Sequence, residues 1–126
     1  VVTTFCHRTK KKIPLEINGQ GKQNRDFVYI DDIVRAFLIA GFQNKTPASK
    51  AYNVSSGRMT SLVKIVNTIR KFEPNLEVGF KPGADEEISY CCDASRYKRD
   101  FGWSPKTSLT KGIQQTLNYF GREKNK

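Results

Sequence analysis

The sequence predicts an α/β fold in which short strands alternate with short helices. Apolar runs rich in β-branched and aromatic residues recur along the chain, as in "DFVYI" (26–30) and "AYNV" (51–54). Apolar residues at helical spacing follow each of these runs, and turn sequences such as "NGQG" (18–21) and "SSGR" (55–58) separate the segments. This alternation favours strands that are at least partly parallel, and 126 residues fit one domain.

The N-terminal segment predicts a helix followed by a short strand. "VVTTFCHRTKK" (1–11) places Val2, Phe5 and Cys6 on one helical face. "PLEI" (14–17) predicts a strand, which ends at the "NGQG" turn.

The segment "NRDFVYIDDIVRAFLIA" (24–40) predicts a strand followed by an amphipathic helix. "DFVYI" is apolar after its first residue and predicts a strand buried on both faces. Asp31 or Asp32 can cap the helix by accepting a hydrogen bond from a free N–H of its first turn, which favours capping over acid–base chemistry. The predicted inner face of this helix is formed by Ile33, Val34, Phe37 and Leu38.

The following segment repeats the order of strand and helix. "AYNV" predicts a strand, and Thr60 or Ser61 predicts the cap of a helix. "LEVGFK" (76–81) predicts a third strand, "KPGADEE" (81–87) a loop and "ISYCC" (88–92) another strand. The inner face of the helix is formed by Leu62, Ile65, Val66 and Ile69.

Two further helices are predicted near the C-terminus. Asp93 caps a short helix that stops at Gly102, and Ser108 caps the last helix, which ends at Gly121. The inner face of the last helix is formed by Leu109, Ile113, Leu117 and Phe120. These helices are few and short for a sheet with two faces, so we expect one side to pack on structure outside this chain.

The charge balance is strongly basic. A formal charge of +10, from 22 Lys and Arg against 12 Asp and Glu, favours either a polyanionic partner or a solvated basic surface. The clusters "RTKKK" (8–12) and "GREKNK" (121–126) do not interleave aromatic residues as a nucleic-acid platform does. No apolar run approaches the roughly 20 residues of a membrane span, and we expect a cytoplasmic protein.

Cysteine and histidine usage disfavours a disulfide framework and a zinc site. Three cysteines, two of them adjacent (Cys91 and Cys92), accompany a single histidine, His7, without any Cys-x-x-Cys. We expect small buried thiols in a reducing compartment.

Known dinucleotide-binding motifs are absent from the sequence. Gly19 and Gly21 form G-x-G, but Asn24 breaks G-x-G-x-x-G, and the position between two strands favours a tight turn. No tyrosine is followed by a lysine four positions later. Arg25 is the strongest binding candidate, because a guanidinium before a buried strand suits a phosphate or carboxylate; the alternative is a salt bridge to Asp26 or another acid.

Three segments carry a family resemblance. "PLEINGQGKQNRDFVYIDDIVRAFLIA", "YNVSSGRMTSLVKIV" and "DASRYKRDFGWSPKTSLTKGIQQTLNYF" occur in this order and cover nearly the whole chain. They resemble motifs of the extended short-chain dehydrogenase/reductases, especially the NAD-dependent nucleotide-sugar epimerases and dehydratases related to UDP-glucose 4-epimerase. The resemblance implies that residues 1–126 are a single C-terminal nucleotide-sugar-binding region, a fragment of such an enzyme without its N-terminal Rossmann domain.

The resemblance also implies a cofactor and site residues. The missing domain would bind NAD or NADP and carry the Tyr-x-x-x-Lys pair, so this chain alone is expected to hold no cofactor, no metal and no catalytic residue. Arg25 would contact the pyrophosphate of a UDP-, dTDP- or GDP-sugar. Glu16, Ile17 and Asn18 would run beside the base, and Lys81 stands where the family carries a phosphate- or ribose-contacting arginine.

Two main functions follow from the sequence, and a third option is a degenerate relative that only serves an assembly and binds no nucleotide. The first is a substrate-binding region of an epimerase or dehydratase that is not catalytic alone, and the second is a non-catalytic basic module that binds nucleic acid or another polyanion. Nucleic acid is disfavoured among these ligands. Convergence of Arg25 and Lys81 in one cleft would support the first function, whereas one continuous face of "RTKKK" and "GREKNK" would support the second.

Overall fold

The computed structural model describes residues 1–43, 51–83 and 90–122. In these ranges the chain is a mixed α/β unit, as the alternation of patterns predicts. Its elements are α1 (Val2–Lys10), β1 (Leu15–Asn18), β2 (Asn24–Asp26), α2 (Ile30–Phe42), β3 (Met59–Ser61), α3 (Leu62–Arg70), β4 (Val78–Lys81), α4 (Ser95–Phe101) and α5 (Leu109–Arg122). None of the helices in this part of the chain is long and apolar enough to cross a membrane.

The strands form two small sheets. β1 and β4 pair in parallel, with Asn18 opposite Lys81, which confirms the predicted parallel component. β2 and β3 pair antiparallel, with Arg25 opposite Thr60, and Tyr90 adds one parallel bridge to Arg25.

The main core lies where α1, α3 and α5 pack together beside β1. Ser61 caps α3 by accepting the N–H of Lys64 at 3.2 Å, and Ser108 accepts the N–H of Lys111 at 3.3 Å, so both capping predictions are confirmed. The predicted inner faces of α3 and α5 are also confirmed. The buried side chains are Phe5, Cys6, Leu15, Ile17, Leu62, Ile65, Val66, Ile69, Leu76, Ile113 and Leu117.

A second cluster joins α2 to α4 and the loop that follows. Tyr97, Phe101 and Trp103 are buried against Ala36. The hydroxyl of Tyr97 donates to the carbonyl of Ala36 at 2.6 Å, and the indole N–H of Trp103 donates to the carbonyl of Asp32 at 3.0 Å. The aromatic side chains therefore satisfy their polar atoms on the backbone of α2.

The predicted inner face of α2 is wrong. The buried residues of α2 are Asp32 and Ala36. They face the second cluster because Tyr97 and Trp103 donate hydrogen bonds to their backbone carbonyls. The opposite face, called here the exposed stripe, contains large apolar side chains, including Phe37 with 75% of its surface exposed. The exposed stripe consists of Ile30, Val34, Phe37, Leu38 and Phe42.

Two predicted strands are also wrong. "DFVYI" is not a strand beyond Asp26, because the Asp26 carboxylate binds the turn at 56–57 and α2 already begins at Ile30. "AYNV" forms no strand; Tyr52 and Val54 pack on the second cluster instead.

The remaining segments correct several smaller predictions. In "ISYCC", residues 88–89 lie outside the described residues, as do residues 84–87 of the "KPGADEE" loop, and Tyr90 forms only one bridge. α5 continues through Gly121 to Arg122 rather than ending at the glycine. Asp93 does not cap α4, whose N-cap is Ala94 without a side-chain capping bond. Cys6 is buried as expected, but Cys91 and Cys92 are exposed.

Candidate nucleotide-binding site

The predicted base contacts at Glu16, Ile17 and Asn18 lie on β1, whose two edges differ. The N–H groups of Leu15 and Gly19 donate to carbonyls of the β4 segment at 2.9 and 3.0 Å. Because peptide groups alternate in direction along a strand, the backbone of Ile17 also faces β4, and its side chain is buried in the core. The outer edge of β1 is therefore formed by the peptide groups of Glu16 and Asn18.

Lys81 lies at the same end of this sheet. Its ammonium is 3.0 Å from a carboxylate oxygen of Glu16, and about half of each side chain is exposed. An exposed pair of this kind contributes little to stability, so the ammonium can exchange its partner for an anionic ligand at low cost. The structure thus brings Glu16, Asn18 and Lys81 together at the end of the β1–β4 sheet.

Arg25 lies on the other sheet and is half-buried. Its guanidinium is 5.7 Å from the ring centroid of Tyr90, in cation–π geometry, and one of its terminal nitrogens donates to the carbonyl of Asn24 at 2.9 Å. Neither Arg25 nor Lys81 lines the cavity beside α3 and α4 or the smaller one between the end of α1 and residues 73–77. The sequence contained no signal for Tyr90, which reaches Arg25 through a single non-local bridge.

Asp26 positions the strand that carries Arg25. Its carboxylate accepts the N–H of Ser56 at 2.9 Å, the N–H of Gly57 at 2.8 Å and the hydroxyl of Ser56. These bonds fix the turn that leads into β3, the partner strand of β2. The sequence suggests Asp26 only as a salt-bridge partner of Arg25, and the donor-rich "SSG" turn is the signal that points to this contact.

Asp32 is not the helix cap that the sequence predicts. α2 begins at Ile30 with no side-chain capping bond, and Asp32 lies buried in its first turn. Its carboxylate accepts the N–H of Lys106 at 3.0 Å, the N–H of Thr107 at 2.8 Å and a guanidinium nitrogen of Arg35 at 2.9 Å. Burial acts to raise the pKa of Asp32, but these hydrogen bonds outweigh it and lower the pKa to about 2.

The G-x-G sequence does not fit a dinucleotide. Gly21 has φ +71° and is buried, and a Cβ there would lie 3.0 Å from a methyl group of Val63 and 3.2 Å from one of Ile17. Gly21 is therefore a close-packed turn residue between β1 and β2, not part of the strand-to-helix turn on which a pyrophosphate binds. The G-x-G sequence is therefore explained by packing of the turn between β1 and β2.

The described ranges contain no cluster of metal ligands, and one of the three thiols is buried. No group of three or more His, Cys, Asp and Glu side chains converges there. Burial raises the pKa of the Cys6 thiol to about 11, with Lys10 opposing the shift, so this thiol is protonated and inert at neutral pH.

The chain matches known proteins along nearly its whole length. The family model described as GDP-mannose 4,6 dehydratase matches residues 1–116. UDP-glucuronic acid decarboxylase 1 from Arabidopsis thaliana is 29% identical over 121 residues, which are 95% of this chain and 27% of that protein.

Solved structures agree with this match. The structure of UDP-glucose 4-epimerase from Thermotoga maritima with UDP-glucose superposes with a TM-score of 0.85 and 30% identity, covering 99% of this chain and 40% of that one. UDP-glucuronic acid 4-epimerase from Bacillus cereus, in complex with UDP-glucuronic acid and NAD, gives a TM-score of 0.83 at 25% identity, covering 94% and 38%. The chain spans about a quarter to two-fifths of the length of these relatives.

Proposed function

The chain belongs to the family described as GDP-mannose 4,6 dehydratase, and we propose that residues 1–126 hold the nucleotide diphosphate of a sugar substrate. This family is one of the extended short-chain dehydrogenase/reductases, which include nucleotide-sugar epimerases and dehydratases. The ligand is a UDP-, dTDP- or GDP-sugar. The chain acts as one substrate-binding region and is not catalytic alone.

The outer edge of β1 is the observation that carries this proposal. The peptide groups of Glu16 and Asn18 face away from β4. The Asn18 carbonyl accepts the side-chain amide of Gln23 at 3.4 Å, and the remaining groups can pair with the donor and acceptor atoms on the edge of a base. The exposed side chain of Asn18 adds amide donors and an acceptor, and β1 carries no aromatic side chain. Base recognition here would therefore rest on hydrogen bonds rather than on stacking.

Lys81 and Arg25 are the candidate phosphate contacts; since they lie on different sheets and line no common described cavity, the proposal does not rest on their convergence. Lys81 supplies a charge beside the β1 edge, and its exposed pair with Glu16 opens at low cost. Arg25 supplies a planar guanidinium whose stacking over Tyr90 restricts its orientation, which suits a phosphate held by two parallel hydrogen bonds. Both residues would position the substrate and take no part in bond making.

The exposed stripe of α2 supports a missing partner domain. Five large apolar side chains on one helix face are more than an isolated surface usually leaves uncovered. Relatives are at least twice as long as this chain, and one of them is in complex with NAD as well as a UDP-sugar. We therefore assign the stripe to packing against an N-terminal dinucleotide-binding domain, which would supply NAD or NADP and the catalytic pair.

Titration of the chain with UDP, dTDP, GDP and inorganic phosphate tests the binding role. One nucleoside diphosphate should bind more tightly than phosphate, and Arg25→Ala should weaken it by about 10- to 100-fold, as expected when one charge-assisted contact is lost. Arg70→Ala, which removes an exposed arginine at the end of α3, is the matched control and should have no effect.

Two outcomes would overturn the proposal. Equal binding of phosphate and all three nucleotides would contradict a nucleotide site. Turnover of a UDP-sugar with NAD by the isolated chain would contradict the claim that it is not catalytic alone.

A further inference from the structure

A second candidate site lies on the surface formed by α3, α4 and the loop before α5. A cavity of about 1140 Å³ opens there, and Arg58, Lys64, Lys71, Lys98 and Lys106 line it with exposed side chains. We call it the basic cleft. None of the predicted nucleotide-site residues lines it.

The charge of the basic cleft is not neutralised by the described part of the chain. None of its five cations forms an ion pair with an acid in residues 1–43, 51–83 or 90–122. Its one described acid, Asp93, already accepts the N–H and the hydroxyl of Ser95 at 2.8 and 2.9 Å. Like charges held together in a concave surface raise the local potential and attract anions.

Three segments that carry these cations have fixed backbones. The Asp32 carboxylate binds the N–H of Lys106, and the Asp26 carboxylate binds the turn directly before Arg58. Lys64 lies in the first turn of α3, and Lys71 follows its last residue on the same side, seven residues later. The side chain of Ser61 caps this helix. The charges are thus presented by a preorganised frame, which lowers the entropic cost of binding an anion.

The chemistry of the lining distinguishes between anionic ligands. Four of the five cations are lysines, which bind phosphates as point charges, and hydroxyl side chains such as Ser56 and Thr110 also line the cleft. Its two aromatic residues are Trp103, which is buried, and Phe27, which is half-buried and packs on the main core, so neither offers an open face for a base. Single-stranded nucleic acid needs such aromatic platforms, so the lining favours linked phosphates without bases.

We propose that the basic cleft binds an oligophosphate, a ligand with several linked phosphate groups, at a site separate from the nucleotide edge of β1. The occupant needs no base and no sugar. The two sites share no described residue, so an experiment can refute either proposal without refuting the other.

Titration calorimetry with sodium tripolyphosphate tests this site in the intact chain. The double variant Lys64→Gln/Lys71→Gln should weaken binding by about tenfold or more, because it removes two of the five cations. The double variant Lys11→Gln/Lys12→Gln removes the same net charge from an exposed turn after α1 and should change the affinity by less than about twofold. Arg25→Ala should leave the part of tripolyphosphate binding that depends on Lys64 and Lys71 unchanged.

Several results would overturn the proposal. Equal loss in both double variants would show that only the net charge matters, and loss of the part that depends on Lys64 and Lys71 in Arg25→Ala would place tripolyphosphate in the nucleotide site. Tighter binding of an oligonucleotide with the same number of phosphates would point to nucleic acid. Failure of UDP to bind, with tripolyphosphate binding retained and sensitive to Lys64 and Lys71, would refute the nucleotide proposal alone.

Discussion

Asp32 and Thr107 are 75 residues apart in the chain, yet the carboxylate of Asp32 accepts the N–H of Thr107 at 2.8 Å. The same carboxylate binds the neighbouring N–H of Lys106 and the guanidinium of Arg35. Through these hydrogen bonds the buried carboxylate connects the first turn of α2 to the loop that leads into α5. It also holds one wall of the basic cleft in place.

We predict that Asp32 makes stability depend on acid pH. The pKa of Asp32 is about 2 in the folded chain, against an ordinary value of 3.8. Its contribution to the free energy of unfolding is therefore complete above about pH 4 and is lost as the pH falls towards 2. The contribution is about 2 kcal/mol at neutral pH. Urea unfolding between pH 7 and pH 2 should show this decline in the wild type and a smaller one in Asp32→Asn.

Asp31→Asn is the control for this measurement, because Asp31 lies next to Asp32 but is exposed. It should change the free energy of unfolding by less than about 0.5 kcal/mol at any of these pH values. A decline of the same size in Asp32→Asn and in the wild type would show that another carboxylate is responsible.

Gly21 should tolerate substitution less well than Gly57. Both have a positive φ, +71° and +68°, but a Cβ at Gly21 meets side chains at 3.0 and 3.2 Å whereas one at Gly57 meets nothing within 4 Å. Gly57→Ala should lose about 1 kcal/mol from backbone strain, and Gly21→Ala about 1–3 kcal/mol more from overpacking. Urea unfolding of both variants measures the difference, and equal losses would contradict the packing role of Gly21.

Phe37 should contribute little to the stability of this chain despite its size. It lies on the exposed stripe with 75% of its surface accessible, whereas Phe101 is buried in the second cluster at 6%. Phe101→Ala should lose about 3–5 kcal/mol, and Phe37→Ala less than about 0.5 kcal/mol. A large loss for Phe37→Ala would mean that the stripe is covered by the chain itself.

The three thiols should react at different rates. Cys6 is fully buried, so it should be labelled by a thiol reagent only after unfolding. Cys91 and Cys92 are exposed and should be labelled before Cys6, and partial desolvation together with the neighbouring Asp26 carboxylate raises the pKa of Cys91, which slows its labelling. Mass spectrometry after brief labelling near neutral pH measures the order, and rapid labelling of Cys6 would contradict the buried position.

Local patterns in the sequence account for much of this fold. The apolar spacing of α3 and α5 and their Ser61 and Ser108 caps act within a few residues, so periodicity and capping rules identify them correctly. The family resemblance follows from three ordered segments, and the matching family model covers residues 1–116. These features need no knowledge of distant contacts.

Only the tertiary structure decided the orientation of α2 and the roles of the carboxylates. The large apolar residues of α2 predict its inner face, yet Ala36 and Asp32 face the chain's own aromatic cluster. Asp26 and Asp32 have the chemistry of caps or ion-pair partners, but their bonds reach 30 to 75 residues along the chain. Such contacts arise when separate elements pack, and the local periodicity of the sequence does not encode them.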